Sequence, residues 1–309
     1  VSQNELDLTR ILHHVTQPLN PQVPVPYLLV LAGDQVGRVI RLEPGKAKEV
    51  GRMASCDIHL DDTNLSRRHA VLSTSDEGET TLVDLQSTNG SRVNGKKITK
   101  ATLKDGDRIS LGNVVLRFSL KDDFEYLFQK KLFQKATRDG LTNLYNRSYF
   151  LDSLKRELSY HQRLHLPLSL LIFDLDDFKG INDHFGHLAG DHALIHFCQT
   201  VEHSLRTEDL FARFGGEEFM ALFRGTNESQ AITIAEKLRE KVAQTLLTFP
   251  DGKPIAKMTV TIGIATWEPG APLNTQEMIE TLIKTADHCL YYGKRHGKNQ
   301  VVAPSLLPE

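Results

Sequence analysis

The sequence predicts a two-domain chain: an all-β sandwich joined by a helix to an α+β domain with a central, mainly antiparallel sheet. Three observations carry this reading. Short β-rich runs separated by turn residues fill residues 26–120, and no long helical period interrupts them. The apolar period changes to that of a helix across 121–137. From 138 to 304, helical patterns alternate with strands around a central hairpin, as in a sheet covered by helices. Residues 1–25 and 305–309 are left as tails.

The composition suits this division. The 309 residues suffice for two domains of roughly 100–200 residues each. With 40% hydrophobic and 25% charged residues the chain reads as ordinary globular protein. A net charge of −2 implies no nucleic-acid partner through bulk charge. No apolar run approaches the roughly 20 residues of a membrane span, and the polar, acidic first residues do not read as a signal peptide. Cys56, Cys198 and Cys289 are scattered and lack zinc-ligand spacing, which points to a reducing, cytoplasmic setting.

The elements follow in order. The N-terminal tail ends in "QPLNPQVPVP", whose prolines favour extended backbone. The runs "YLLVLA", "GRVIRL", "HAVLSTS", "TTLVDL" and "NVVLRFSL" read as strands, and the Asn-Gly pairs of "STNG" and "VNGKK" as hairpin turns. In the connector, Leu120, Phe124, Leu127, Phe128 and Leu132 fall at helical spacing. Both a short dimeric coiled coil and a helix packed on its own domain fit that stripe. Beyond it come helix 147–163, strand "LSLLIFDLDDF", helical patterns near 178–185 and 189–204, and hairpin 209–223. Helix 228–246, strand "KMTVTIGIATW", helix 275–296 and a last short strand, "NQVV", complete the domain.

Two stretches carry chemistry. In "ARFGGEEFMALF", Glu217 and Glu218 follow Gly215 and Gly216 where a strand begins, and adjacent strand residues point to opposite faces. In "IFDLDDFKGINDHFGHLAGD", Asp174, Asp176 and Asp177 interrupt an apolar run where the strand should end. Carboxylates at a strand end near a hairpin bearing two more make an oxygen-rich site suited to a hard cation. Taken alone, the same aspartates also read as helix caps and solubilising residues.

The stretch "FDLDDFKGINDHFGHLAGD" followed by "RFGGEEF" resembles the GGDEF family of diguanylate cyclases. "RDGLTNLYNR" resembles that family's opening signature, with Asn143 where glycine is more usual, and "ADHCLYYGKRHGKNQV" its closing helix. The resemblance runs from about 138 to 303 and implies a nucleotidyl-cyclase-like fold. It implies condensation of two GTP to cyclic di-GMP and two pyrophosphates, each GTP held by one domain of a homodimer. It implies Mg²⁺ or Mn²⁺ on Asp174, the Leu175 carbonyl, Glu217 and Glu218. It implies that one of the two glutamates assists deprotonation of the attacking 3′-hydroxyl, with both left as candidates. Guanine would be read by Asn182 and Asp191; a carboxylate accepts guanine's paired N–H donors, which adenine lacks on that edge. Without the resemblance, Asp191 reads as the N-cap of helix "HALIHF". Lys179, Lys294 and Lys298 fall where the family contacts phosphates, and Gly215 and Gly216 let backbone approach them. Arg206 and Asp209, in "RTED", match the family's inhibitory product site, with five residues between Asp209 and Gly215. The rival reading is a catalytically silent adaptor, against which the intact Asp174, Asn182, Asp191, Glu217 and Glu218 argue.

In the first half, "VGRMASCDIHL", "NLSRRHA", "LQSTNGSRVNG" and "DGDRISLG" together resemble the forkhead-associated (FHA) domain, over about 27–118. This implies phosphothreonine-peptide binding. Arg52, Ser66 and Thr88 would contact phosphate, with Arg67 nearby; guanidinium and hydroxyl donors suit a dianion. Asn89 would hold the peptide backbone, and His69 and Gly51 support the loop. Thr9 and Thr16 each have leucine three residues later, and phosphorylated Thr9 of the tail is the first candidate ligand, alongside a separate partner.

Overall fold

The structure is a computed structural model and describes residues 24–33, 35–121, 123–206, 208–248, 254–270 and 274–308. Thr9, the candidate phosphorylated residue, lies outside the described residues. The chain divides into two compact units, Val1–Ala136 and Thr137–Glu309.

The first unit is a sandwich of two sheets. Its strands are β1 (Val25–Ala32), β2 (Val39–Arg41), β3 (Ala47–Gly51), β4 (Ile58–His59), β5 (Ala70–Thr74), β6 (Thr80–Asp84), β7 (Ser91–Val93), β8 (Lys96–Ile98), β9 (Lys100–Thr102), β10 (Arg108–Leu111) and β11 (Val114–Lys121). One sheet has the order β2-β1-β11-β10-β7-β8 and the other β4-β3-β5-β6-β9. Alternation sets the core: Val114, Leu116 and Phe118 of β11 meet Ala70 and Leu72 of β5 between the sheets. Asn94 and Gly95 sit at φ 50° and 80° between β7 and β8, the geometry a two-residue hairpin demands. Asn89-Gly90 differs from expectation. β6 and β7 belong to different sheets, so this pair lies in a crossing loop and closes no hairpin.

The connector forms α1 (Asp123–Thr137). Tyr126 packs on Tyr27 with ring centroids 5.7 Å apart, and the Arg41 guanidinium stands 5.6 Å from the Tyr126 ring. Phe133 lies against Gly37. The helix therefore packs one face on its own unit, while Phe128 and Leu132 are exposed at 50% and 46%.

The second unit comprises α2 (Arg147–Leu164), β12 (Leu168–Leu175), α3 (Phe178–Phe185), α4 (His187–Glu202), β13 (Leu210–Gly215), β14 (Glu218–Arg224), α5 (Glu228–Gln244), β15 (Leu246–Thr248), β16 (Pro254–Lys257), β17 (Val260–Trp267), α6 (Thr275–Arg295) and β18 (Val301–Val302). The main sheet has the order β13-β14-β12-β17-β18, antiparallel except for β17-β18. Both faces are covered. Leu171 and Phe173 share a core with α4 and α5, whereas Leu170 and Ile172 share one with α2 and α6. This explains the unbroken apolar run of β12. The small hairpin β15-β16, where the sequence suggested no strands, interrupts the stretch between α5 and β17. At Gly263 the backbone of α6 comes so close that a Cβ would stand 2.1 Å from the Ala286 carbonyl oxygen. That approach seats α6, and hence Lys294 in its last turn, against the sheet. Among the described residues no helix is long and apolar enough to cross a membrane.

Candidate functional site

Strand register brings the first carboxylates together. β12 and β14 pair with Asp174 directly opposite Glu218, and like charges so placed are destabilising. Glu217 lies one residue earlier, in the turn, where its carbonyl accepts from the Leu175 N–H at 3.4 Å. The expectation that strand alternation sends the two glutamates to opposite faces fails for this reason: only Glu218 is in the strand. Burial pushes both carboxyls above the usual glutamate range, and Asp174 pushes each further.

The turn is held from outside. Arg213 donates from Nε and Nη2 to the Gly216 carbonyl at 2.9 and 2.7 Å, and from Nη1 to Asp139 Oδ1 at 3.1 Å. Asp139 also accepts from the Thr142 N–H and hydroxyl. The opening signature thus braces the glycine turn. Asn143 adopts φ 58°, a conformation that glycine and asparagine tolerate best, which accounts for the replacement noted above. Gly216 has φ 51°, but Gly215 does not need its freedom for the fold, and a Cβ on either would meet nothing within 4 Å. The backbone there stands open to close approach by a ligand.

At the end of β12, Lys294 Nζ donates to Asp174 Oδ1 at 2.5 Å, the Asp174 carbonyl at 3.0 Å, the Leu175 carbonyl at 3.2 Å and Asp176 Oδ1 at 2.8 Å. Asp176 is buried, and it also accepts from Thr259 Oγ1, Thr261 Oγ1 and the Asn299 N–H. Burial pushes its carboxyl up, but hydrogen bonds from Lys294 and the two threonines hold it below the usual range. Asp176 is therefore a brace joining β12, β17, α6 and the loop after α6. Asp177, at φ 53°, precedes α3 and pairs with Lys298. Lys179 is exposed on α3.

These donors are all oxygens, the set a hard divalent cation requires, and an ammonium already stands among them. The predicted metal set is not fully assembled, however. Among the described residues no three His, Cys, Asp or Glu side chains gather to hold a metal. Lys294 takes Asp174 and the Leu175 carbonyl, while Glu217 and Glu218 have raised proton affinity. The donor chemistry fits the ion, and Lys294 holds part of its set.

Asn182 lies on α3 with its side chain against Gly190 of α4, where a Cβ would stand 2.0 Å from Asn182 Oδ1. Asp191 is the next residue and is exposed, so the fold brings the two predicted guanine readers together. Asp191 is not an N-cap, because α4 begins at His187. Arg206 is exposed and lines a cavity of about 230 Å³ with Gly225, Thr226 and Gln230. Asp209 turns back to accept from the Arg206 N–H at 3.0 Å, and burial pushes its carboxyl up.

In the first unit, Arg52, Ser66, Arg67, Thr88 and Asn89 line one cavity of about 790 Å³. Gly51 must be glycine, since a Cβ would stand 2.2 Å from the Arg67 carbonyl oxygen. The Arg52 and Met53 N–H groups donate to the Ser66 and Arg67 carbonyls, locking the two loops together. Buried His69 accepts the Ser66 N–H at Nδ1, 3.1 Å away, and burial lowers its proton affinity, as that acceptor role requires. Ser66 Oγ accepts from the Thr88 N–H at 3.1 Å, and Asn89 Nδ2 donates to the Asn64 carbonyl at 2.7 Å. Neither Arg52 nor Arg67 pairs with a carboxylate among the described residues.

Sequence reasoning missed Arg213, Asp139 and the bracing role of Asp176. Thr259 and Thr261, alternating at the start of an apolar strand, were the available signal for the last.

Both units of the chain are similar to known proteins. The family model for "Diguanylate cyclase, GGDEF domain" matches residues 136–300, more than half the chain, and that for the FHA domain matches 48–112. Diguanylate cyclase DosC of Escherichia coli (strain K12) is 36% identical over 177 residues, 56% of this chain and 37% of that protein. The probable diguanylate cyclase DgcT of the same strain is 36% identical over 172 residues, again 56% of this chain and 36% of that protein. The chain thus spans little more than a third of the length of these curated relatives. The coiled coil and GGDEF domain of DgcB from Caulobacter crescentus, in complex with c-di-GMP, superposes with a TM-score of 0.53. It is 31% identical and covers 58% of this chain and 90% of that one. The GGDEF domain of DgcB alone gives 0.51 at 33% identity, covering 54% and 93%.

Proposed function

The chain belongs to the GGDEF diguanylate cyclase family, and from that premise we propose that it condenses two GTP to cyclic di-GMP and two pyrophosphates. The observation that carries this is the juxtaposition of Asp174 and Glu218 on paired strands, with Glu217 in the braced glycine turn beside them. Carboxylates that repel one another in isolation are suited to share a divalent cation. Bound Mg²⁺ or Mn²⁺ would be held by Asp174, the Leu175 carbonyl, Glu217 and Glu218, and would neutralise charge on the phosphate oxygens.

The chain's own groups do the rest. Asn182 and Asp191 hold the guanine edge, and Asp191 selects GTP over ATP. The open backbone at Gly215 and Gly216, with Lys179, Lys294 and Lys298, positions the phosphates. One glutamate, in its ionised form, accepts the proton of the 3′-hydroxyl that attacks the opposite α-phosphate. Each cyclase unit binds one GTP, so two copies must meet face to face, and the exposed side of α1 offers a route to pairing. GTP as substrate places the reaction in the cytoplasm. The test is product identity from GTP and from ATP with the same protein. Cyclic di-GMP from GTP alone is expected, and an equal rate with ATP overturns the base assignment.

The FHA unit, on this reading, binds a phosphothreonine peptide and biases the pairing of cyclase units through α1. Product binding at Arg206 and Asp209 closes a feedback loop. Arg206→Ala is expected to leave the initial rate near wild type and to abolish inhibition by added cyclic di-GMP. Unchanged inhibition in a progress-curve assay removes this site from the account.

A further inference from the structure

We propose that Lys294 is a resident cation of the metal site, resting on the cyclase reading above. It occupies the oxygen ligands in the nucleotide-free protein, leaves them when a divalent cation enters, and passes to the nucleotide phosphates. Its Nζ lies within 3.2 Å of four oxygens, Asp174 O and Oδ1, Leu175 O and Asp176 Oδ1. An ammonium has three donors, so one oxygen is in excess. The group sits where two carboxylates and two backbone carbonyls converge. Two of the four oxygens, on the Asp174 carboxylate and the Leu175 carbonyl, are those assigned to the metal. An ammonium and a divalent cation on the same two oxygens would repel strongly in a partly buried site, so the two compete for them.

The exchange is built to be reversible. Asp176 keeps three donors when Lys294 departs, from Thr259, Thr261 and the Asn299 N–H. No buried carboxylate is then stranded. Among the described residues Lys294 is the one donor to the Asp174 carboxylate, and an entering cation replaces the ammonium there. The Lys294 side chain is 22% accessible, so its head has an exit to solvent. Gly293, beside it, lets α6 sit against β17, since a Cβ there would stand 2.7 Å from Thr261 Cγ2. That closeness fixes where the lysine stem begins. Lys298, by contrast, pairs with Asp177 and touches none of the assigned metal ligands.

The test is a Mn²⁺ titration of the full chain without nucleotide, read by the electron paramagnetic resonance signal of free Mn²⁺. Lys294→Met is expected to bind Mn²⁺ about tenfold or more tightly than wild type, because a competing charge at contact distance is gone. Lys298→Met, which removes a charge but no competitor, should differ from wild type by less than about threefold. Lys294→Met should at the same time bind GTP more weakly, so that metal and nucleotide affinities move in opposite directions. Lys294→Gln provides a second variant should methionine unsettle α6. Equal Mn²⁺ affinity in wild type and both Lys294 variants overturns the proposal and leaves the cyclase site standing. Absence of Mn²⁺ binding in every variant, with or without GTP, overturns the proposal and the metal site together.

Discussion

Replacing Glu218 with glutamine is expected to lower cyclic di-GMP formation by about 10²–10⁴-fold, because the variant loses either the base for the 3′-hydroxyl or a charged metal ligand. The metal-free protein should meanwhile become more stable at neutral pH. The two effects have one cause. Burial, Asp174 and Asp287 raise the proton affinity of Glu218, so ionisation is less favourable in the folded chain than in the unfolded one. A carboxyl with a raised folded value binds more protons folded than unfolded. Its contribution to stability therefore falls as pH rises from the ordinary glutamate range through the raised value. Glutamine removes that pH-dependent loss while keeping nearly the same shape. Activity runs the other way, because the ionised carboxylates are the working form. Turnover should decline on acidification at a pH above the ordinary glutamate range, and bound divalent cation should move that limb downward. Product chromatography gives the first effect, and thermal melts of both proteins between pH 5 and 8 give the second. A variant that is inactive but no more stable than wild type contradicts the electrostatic account.

The second large effect concerns the other unit. Arg52→Ala should weaken binding of a phosphothreonine peptide by roughly 10–100-fold, as expected for a charge-assisted hydrogen bond of about 1.5–3 kcal/mol. Arg52 is only half-buried and has no carboxylate partner among the described residues, so its removal strands no charge. The neighbouring bonds are made by its backbone, which alanine preserves. The loop should therefore stand while its anion site is lost. The first peptide to test spans the N-terminal tail with phosphorylated Thr9, measured by fluorescence anisotropy against its unphosphorylated form. Equal affinity for the two forms removes the tail as ligand. Tight binding of any phosphothreonine peptide that survives Arg52→Ala contradicts the pocket assignment.

What the residues revealed in advance depended on whether a local pattern decided the outcome. The alternation of β11 and the Asn94-Gly95 turn are local, and both were readable. Asn89-Gly90 carries the same local signal, but β6 and β7 go to different sheets, and tertiary topology overrides the turn preference. Glu217 and Glu218 were recognisable as a pair. Their relation to one another turned on a single residue of strand boundary, which sequence does not resolve. Lys294 was marked as a phosphate contact by its place in the closing motif. Its bonds to Asp174 and Asp176 join residues more than a hundred positions apart, and only the packing of α6 across Gly263 brings them together. Arg213 was invisible for the same reason, since its partner Asp139 is 74 positions away.

The most direct measurement is cyclic di-GMP formation from GTP and Mg²⁺ over a wide range of protein concentration, with Glu218→Gln as control. Two GTP-loaded sites must meet, so product per enzyme should rise with concentration until pairing saturates, and should fall by about 10²–10⁴-fold in the variant. No cyclic di-GMP at any concentration, with the FHA unit empty or filled by a phosphopeptide that it binds, would contradict the account and leave a nucleotide-binding adaptor.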